Sequence, residues 1–145
     1  MTDLKLLALD ADDLSVISAH MQDAVFKVAD LSFSARSSLF SVAVNRFVWE
    51  KADRAAKSYE RRRAVLSFKR VQAVRSIGFD RSKGDDVLSL LAVRFLIKDD
   101  GPDGVIELVL SGGGTIALDV ECIEAQLADT GGAWETASKP GHPGD

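Results

Sequence analysis

Residues 105–121, VIELVLSGGGTIALDVE, decide the fold of this chain. Residues 105–111 and 115–121 alternate apolar and polar side chains, and three consecutive glycines join them. Such alternation is typical of half-buried strands, and glycine readily adopts the positive φ angles that a tight turn requires. The pattern therefore predicts a β-hairpin. Residues 122–129 then change to a helical spacing that ends at Gly131, and this change predicts a C-terminal helix.

The rest of the chain combines one further helix with several strands. Leu14, Ile17 and Met21 lie at helical spacing behind an N-cap at Asp10, which predicts an amphipathic helix over residues 11–22. Apolar runs or alternating patterns predict strands within residues 4–9, 24–33, 40–49, 64–77 and 87–97.

Three of these strand segments carry more detail. A phase change at residues 29–30 predicts a bulge or a tight bend. Residues 64–77 fit either two strands or one long bent strand. Residues 87–97 are apolar on both faces, which predicts a central strand that is covered on both sides.

These elements predict an α+β fold. Consecutive strands with short connections favour a curved, mostly antiparallel sheet or a partly open barrel. With one N-terminal helix and a C-terminal capping helix, this arrangement resembles the pleckstrin-homology-like roll, and an open α+β sandwich is the competing architecture. At 145 residues the chain predicts a single globular domain, residues 1–136, followed by a disordered tail, residues 137–145.

The composition is that of a soluble globular protein, with 46% hydrophobic and 28% charged residues. No apolar run reaches the ~18 residues that a membrane span requires, and the N-terminus lacks the features of a secretory signal. These observations predict a cytoplasmic protein. Cys122 is the only cysteine, which excludes a disulfide within the chain and a cysteine-based zinc site. The sequence predicts no cofactor.

Charge is distributed unevenly along the chain. Residues 46–84 contain twelve lysines and arginines against four acidic residues, a net charge of +8. The segments before and after them carry −3 and −9, which leaves −4 for the whole chain. These segments either neutralise one another after folding or leave a basic surface for an anionic partner.

Basic residues near the middle of the chain form the candidate partner-binding surface. In a strand, Arg61 and Arg63 share one face and Arg62 points to the other. The predicted partner is a protein or another anionic macromolecule. Nucleic acid is less favoured, because the sequence pI is about 5.2 and no nucleic-acid-recognition motif is present. A solubilising edge strand is the alternative interpretation. The candidate residues are Lys57, Arg61, Arg62, Arg63, Lys69 and Arg70.

Two residues could carry chemistry. His20, with Asp23 three residues later, fits a general base, but an imidazole that caps the helix end is the simpler interpretation. Cys122, at the start of the predicted C-terminal helix, fits a nucleophile. Glu121 and Glu124 disfavour its thiolate, so an inert core cysteine is the simpler interpretation. The sequence assigns no catalytic residue and no metal ligand.

Two arginines lie within otherwise apolar strand segments. Arg46 and Arg75, if buried, require ion-pair partners, and Asp119 or Glu107 on the predicted hairpin could supply them. Such pairs would either be structural or line a pocket, and the pattern leaves both possibilities open.

Several segments carry a resemblance to a known family. They are LLALDA at residues 6–11, VISAH at 16–20, NRF at 45–47, and residues 87–95 and 120–129. Together they resemble domain-of-unknown-function family 2948, a group of small uncharacterised alphaproteobacterial proteins. The resemblance spans nearly the whole chain. It implies a bacterial cytosolic protein, and it implies no catalytic residue, cofactor or substrate.

These patterns favour a non-enzymatic binding or adaptor module that uses the basic residues as its contact surface. Catalysis normally needs a converging acid, base, nucleophile or metal, and the sequence offers few such sets. The alternatives are a nucleic-acid-binding accessory protein, or a small enzyme with His20 or Cys122 in its site.

Overall fold

A computed structural model describes residues 4–48 and 60–135 of the chain, with side chains described for residues 4–48 and 61–130. Within these ranges the chain forms one α-helix, ten strands and two short 3₁₀ turns, Val28–Asp30 and Ser111–Gly113. The predicted disordered tail at residues 137–145 lies outside the described residues. The elements are β1 (Lys5–Ala8), α1 (Ala11–Met21), β2 (Val25–Lys27), β3 (Leu31–Ser34), β4 (Leu39–Phe47), β5 (Glu60–Phe68), β6 (Val71–Ile77), β7 (Val87–Ile97), β8 (Gly104–Leu110), β9 (Thr115–Val120) and β10 (Ala125–Glu135).

The strands form one antiparallel sheet in the order β1-β10-β5-β4-β2-β7-β8-β9-β6, and β3 adds to β4 beside β2. The sheet does not close, because β1 and β6 lie at its two ends. The predicted antiparallel sheet is therefore confirmed. The glycine hairpin between β8 and β9 is confirmed as well, with Gly112 at φ 83° and Gly113 at φ 92°.

Two strand pairs bend at the same place, which we call the corner. Lys69 and Arg70 alone separate β5 from β6, and residues 121–124 separate β9 from β10. Backbone hydrogen bonds link the two connections, from Lys69 N–H to Glu124 O at 2.9 Å and from Glu121 N–H to Arg70 O at 3.1 Å. The ladder between β5 and β10 thus continues around the corner as the ladder between β6 and β9. Residues 64–77 form two strands that follow one bent path.

The helix α1 matches its prediction closely. The Asp10 carboxylate accepts a hydrogen bond from Asp13 N–H at 2.7 Å, as an N-cap does. The apolar residues of the helix, Leu14, Ile17 and Met21, are buried against the sheet. On the same element Ser18 Oγ accepts a hydrogen bond from Val93 N–H at 2.8 Å, so α1 caps part of the β7 edge.

The predicted C-terminal helix is wrong. Residues 125–135 form β10, which pairs with β1 on one edge and β5 on the other. Ile123, Ala125 and Leu127 are buried at a spacing of two residues, as a half-buried strand requires. Ladder bonds on both edges outweigh the weak local helical spacing. Without that helix, the comparison with a pleckstrin-homology-like roll loses the element that would plug its open end.

The central strand β7 departs from its prediction on one face. It is a central strand, as predicted, and its neighbours are β2 and β8. However, Leu91 is 45% exposed and Leu96 is 49% exposed. A register shift between Leu90 and Ala92 changes the phase of the strand, so Leu90 and Val93 both reach the core. One face is therefore only partly covered. The phase change predicted at residues 29–30 is confirmed as a 3₁₀ turn between β2 and β3.

Candidate functional site

One opening of the described fold is a cleft between β3 and β6. In the described part of the chain, β3 pairs with β4 alone and β6 pairs with β9 alone. Each strand therefore has one edge whose backbone groups lack a strand partner, and both strands line the cleft. The cavity volume is about 440 Å³, within the range of small-molecule sites. We call this opening the β3–β6 cleft.

The wall of the β3–β6 cleft is mainly apolar, with two serine hydroxyls. Ser32 comes from β3, and Ser76 comes from β6, where it shares a face with Val74. Arg81 is the one ionisable side chain among the lining residues, all of which lie in the described ranges. The set is Val28, Leu31, Ser32, Phe33, Phe40, Val74, Ser76, Phe79, Arg81 and Ile116. Such a wall can bind a ligand but offers no acid–base pair for catalysis.

The connection after β6 places Phe79 and Arg81 at the cleft. Its far end is tied to the 3₁₀ turn after β2, because Ala29 N–H donates to Gly84 O and Val28 N–H donates to Asp86 O, each at 3.0 Å. Its near end turns at Gly78, where φ is +85°. A Cβ atom there would lie 2.7 Å from Gly114 Cα, so only glycine fits this close approach. The connection is thus fixed at both ends.

Asp80 belongs to the same connection, and its carboxylate binds Ser82, two residues along the chain. Oδ1 accepts hydrogen bonds from Ser82 Oγ at 2.6 Å and from Ser82 N–H at 2.9 Å. The hydroxyl bond and then the backbone bond hold the pKa of the Asp80 carboxyl below its usual value. Asp80 is therefore ionised at neutral pH and closes a tight turn beside Arg81.

A second cluster of charged residues lies inside the sheet. Three neighbouring strands, β4, β5 and β10, supply Arg46, Arg62 and Asp129. Both arginines are buried, and the side chain of Asp129 is 1% exposed. Arg46 donates two hydrogen bonds to the Asp129 carboxylate, from Nε to Oδ1 at 2.8 Å and from Nη2 to Oδ2 at 2.9 Å. Arg62 Nη1 lies 3.7 Å from Oδ2, and Leu4 N–H donates to the same oxygen at 2.9 Å. We call this group the buried ion cluster.

Two opposing effects act on Asp129. Burial by itself would raise the pKa of the Asp129 carboxyl. Hydrogen bonds from Arg46 and from Leu4 N–H, with the charges of Arg46 and Arg62, outweigh burial and bring this pKa below its usual value. The carboxylate is therefore charged at neutral pH. A two-point bond between a guanidinium and a carboxylate also fixes the geometry of the strands that carry them.

The described members of the predicted partner-binding surface lie at different places along β5 and the connection after it. Arg62, predicted as a contact residue, is only 5% exposed and belongs to the buried ion cluster. Arg61 lies at the far end of β5 over the Phe47 ring, 5.8 Å from its centroid. Arg63 is exposed. Lys57 lies outside the described residues.

The other two predicted contact residues occupy the corner. Lys69 and Arg70 are well exposed, and both pair with Glu124, at 3.7 and 3.5 Å. Arg36 lies with them around a shallow depression of about 420 Å³. Glu121 lines the same depression. Much of the positive charge at the corner is therefore balanced within the chain.

The candidate chemical residues have structural surroundings. His20 Nδ1 lies 2.8 Å from Val16 O and so bonds back to the helix, as the capping interpretation predicted. Cys122 lies in the connection between β9 and β10, with no helix behind it, so the helix N-terminus that would activate its thiol is absent from that segment. Within the described ranges, no group of three His, Cys, Asp or Glu residues is placed to hold a metal ion.

The predicted arginine pairs have different outcomes. Arg75 does pair with Asp119, from Nη2 to Oδ1 at 2.6 Å, but both side chains are exposed, at 61% and 37%. Glu107 pairs instead with Arg94 at 2.7 Å. Arg46 is buried as the pattern allowed, and its partner is Asp129.

Sequence reasoning missed Asp129 because it was assigned to a helix. A usable signal exists: Arg46, Arg62 and Asp129 each occur in phase with the buried apolar residues of their own strand. A charge at an inward strand position must find a partner there. The cleft has no comparable signal, because its walls come from six separate elements or connections.

Comparison with known proteins identifies a family. The family model described as "Protein of unknown function (DUF2948)" matches residues 4–142. The chain belongs to this family. No curated protein and no solved structure matches it. Within the described ranges, no helix has the length and apolar character to cross a membrane.

Proposed function

We propose that this DUF2948 protein is a non-enzymatic binding module whose ligand occupies the β3–β6 cleft. The observation that carries the proposal is the combination of an apolar wall with two strand edges that lack a strand partner in the described chain. Small-molecule sites are typically concave and apolar, with few polar groups for orientation. The cleft has that character, and its polar groups are Ser32, Ser76 and Arg81.

The composition of the wall supports binding in preference to catalysis. Among the lining residues only Arg81 is ionisable, and an arginine side chain stays protonated near neutral pH, so it cannot act as a general base. The His20 ring bonds back to its own helix, and neither His20 nor Cys122 lines the cleft. An enzyme that used either residue would need a site elsewhere.

A neutral aromatic probe tests the proposal. Phenylnaphthylamine fluoresces more strongly in an apolar site, and its titration gives an affinity and a stoichiometry. The variant Ser76→Trp directs a large ring from β6 into the cleft, whereas Thr115→Trp places the same ring on the opposite face of neighbouring β9. Excitation at a wavelength that tryptophan does not absorb keeps the variants comparable.

The expected result is saturable one-to-one binding that Ser76→Trp weakens at least about tenfold and Thr115→Trp leaves within about twofold. Far-UV circular dichroism shows whether each variant is folded, and Ser32→Trp, from the opposite wall, replaces Ser76→Trp if the latter is not. Binding to the wild type that neither cleft variant reduces would contradict the proposal, as would no binding.

A second candidate is an anionic partner at the corner, where the exposed Lys69 and Arg70 meet Arg36 around one depression. Lys69 and Arg70 both belong to the basic surface that the sequence predicts. Binding there would weaken as salt rises, because exposed charges are screened. A double variant, Lys69→Glu with Arg70→Glu, should abolish binding of heparin or a DNA duplex at low salt; unchanged binding of both would remove this candidate.

A further inference from the structure

Arg81 is a cation without a described partner at the mouth of an apolar cleft. No hydrogen bond or ion pair joins its side chain to any residue in the described ranges, whereas Arg46, Arg75 and Arg94 all have carboxylate partners. The nearest acidic residue in sequence, Asp80, uses its carboxylate to hold Ser82. The guanidinium is therefore available to a ligand.

The connection that carries Arg81 is anchored at both ends. Its backbone is therefore not free to turn this side chain away from the cleft. Gly78 lies against Gly114 at one end, and Gly84 accepts a hydrogen bond from Ala29 N–H at the other. Between these anchors, Phe79 and Arg81 both line the cleft, so one aromatic ring and one cation face the same space. Deeper in the wall lie Phe40, which is 2% exposed, and Ile116, which is 1% exposed.

The polarity of the cleft is thus graded. Its inner wall is apolar, its strand edges offer hydroxyl and backbone groups, and its one charge lies on the exposed connection. A ligand that matches this gradient is apolar at one end and negatively charged at the other. The volume of about 440 Å³ suits a small amphiphile and not a folded partner.

Building on the proposed function, we infer that the ligand of the β3–β6 cleft is a small amphiphilic anion, such as a carboxylate or sulfonate on an apolar body, whose charged group binds Arg81. A guanidinium presents two parallel N–H groups that match the two oxygens of such an anion. The apolar body then lies between Phe33, Val74 and Phe79. The commitment is to a soluble small molecule.

Two matched fluorescent probes separate this inference from the proposed function. Anilinonaphthalene sulfonate and phenylnaphthylamine share their aromatic framework, but only the former carries a negative charge. Each is titrated into the full-length wild type, Arg81→Gln and Lys83→Gln. Lys83 lies two residues from Arg81 but does not line the cleft, so its variant removes the same charge from the same connection without touching the site.

The expected result is that Arg81→Gln weakens the sulfonate probe about tenfold and leaves the neutral probe within about twofold. Lys83→Gln should leave both probes within about twofold of the wild type. Added salt should weaken the sulfonate probe on the wild type and have less effect on Arg81→Gln, because the exposed cation is screened. These results together support a specific contact with Arg81.

Two outcomes would overturn the inference while leaving the proposed function intact. In the first, Arg81→Gln binds the sulfonate probe as the wild type does. In the second, Lys83→Gln weakens it equally, which would assign the effect to the general charge of the connection. Both assume that Ser76→Trp still weakens the neutral probe at least about tenfold; if it does not, the proposed function itself has failed.

Discussion

The strands β5 and β6, which the corner connects, have different neighbours. Before the corner, β5 pairs with β4 on one edge and with β10 on the other. After the corner, β6 pairs with β9, and the edge that would continue the pairing with β4 faces the cleft. We call the strands β4, β5 and β10 the closed side, and β3, β6 and their cleft the open side.

The two sides also differ in the burial and pairing of their charged side chains. On the closed side Arg46 and Arg62 are buried, the Asp129 side chain is 1% exposed, and both arginines pair with that carboxylate. On the open side Arg75 and Asp119 form an exposed pair, and Arg81 has no described partner. The comparison shows that Arg62, from the most basic run of the sequence, belongs to a buried ion cluster, whereas the proposed binding site lies where strand pairing is incomplete in the described chain. Four predictions can break or sharpen this comparison.

The largest expected effect concerns the buried ion cluster. Asp129→Asn removes the charge that neutralises Arg46 and should lower the free energy of unfolding by about 3–5 kcal/mol, because it leaves a buried cation without its counter-charge. Asp119→Asn is the matched control on the exposed pair and should cost less than about 1 kcal/mol. Urea denaturation measures both. Equal losses would show that burial does not distinguish the two pairs.

The same carboxylate predicts a dependence on pH. Because the pKa of Asp129 is lower in the folded protein, unfolding takes up a proton once the pH approaches the unfolded value of about 3.9. Its contribution to stability is complete above that value and is lost as the pH falls through the folded-state pKa. The free energy of unfolding should therefore fall more steeply on acidification for the wild type than for Asp129→Asn. Parallel curves would contradict this assignment.

The next largest difference is expected when a larger side chain is introduced on each side. Ala64 is 1% exposed on the closed side, opposite Val44 in β4, so Ala64→Leu should cost about 1–3 kcal/mol by overpacking. Ser76 faces the cleft, so Ser76→Leu finds free space and should change stability by no more than about 0.5 kcal/mol. Thermal or urea unfolding measures both variants. A large loss for Ser76→Leu would mean that the cleft is packed in solution.

The smallest effect is expected at the corner. Glu124→Gln removes the partner of both Lys69 and Arg70, which are 68% and 60% exposed. Exposed pairs contribute little, so the loss should stay below about 1 kcal/mol and shrink further in high salt. Urea unfolding at low and high salt checks this. A loss as large as that of Asp129→Asn would show that the exposed corner pairs stabilise the fold as much as the buried ion cluster does.

Local signals in the sequence predicted local features of the fold well. The glycine hairpin, the N-capped helix and the bend at residues 29–30 depend on neighbouring residues alone, and all three are confirmed. The C-terminal helix failed because β10 is a strand only through its pairing with β1 and β5, which are distant in sequence.

The candidate site was harder to predict for the same reason. Its existence depends on the corner at Lys69 and Arg70, which turns β6 away from β4 and leaves an edge open. Nothing in the composition of β3 or β6 marks that edge. Arg62 illustrates the converse, since its place in a basic run suggested an exposed contact residue, whereas its phase with Ala64 and Leu66 places it inside.

The central claim is that ligand binding belongs to the open side, and a titration followed by amide NMR tests it most directly. Phenylnaphthylamine is added to the isotope-labelled full-length protein, and chemical-shift changes are mapped along the chain. The largest changes are predicted in β3, β6 and residues 78–82, with little change around Asp129. Changes centred on the exposed Leu7 of β1 and on Leu9 just after it, or spread evenly over the surface, would contradict the claim.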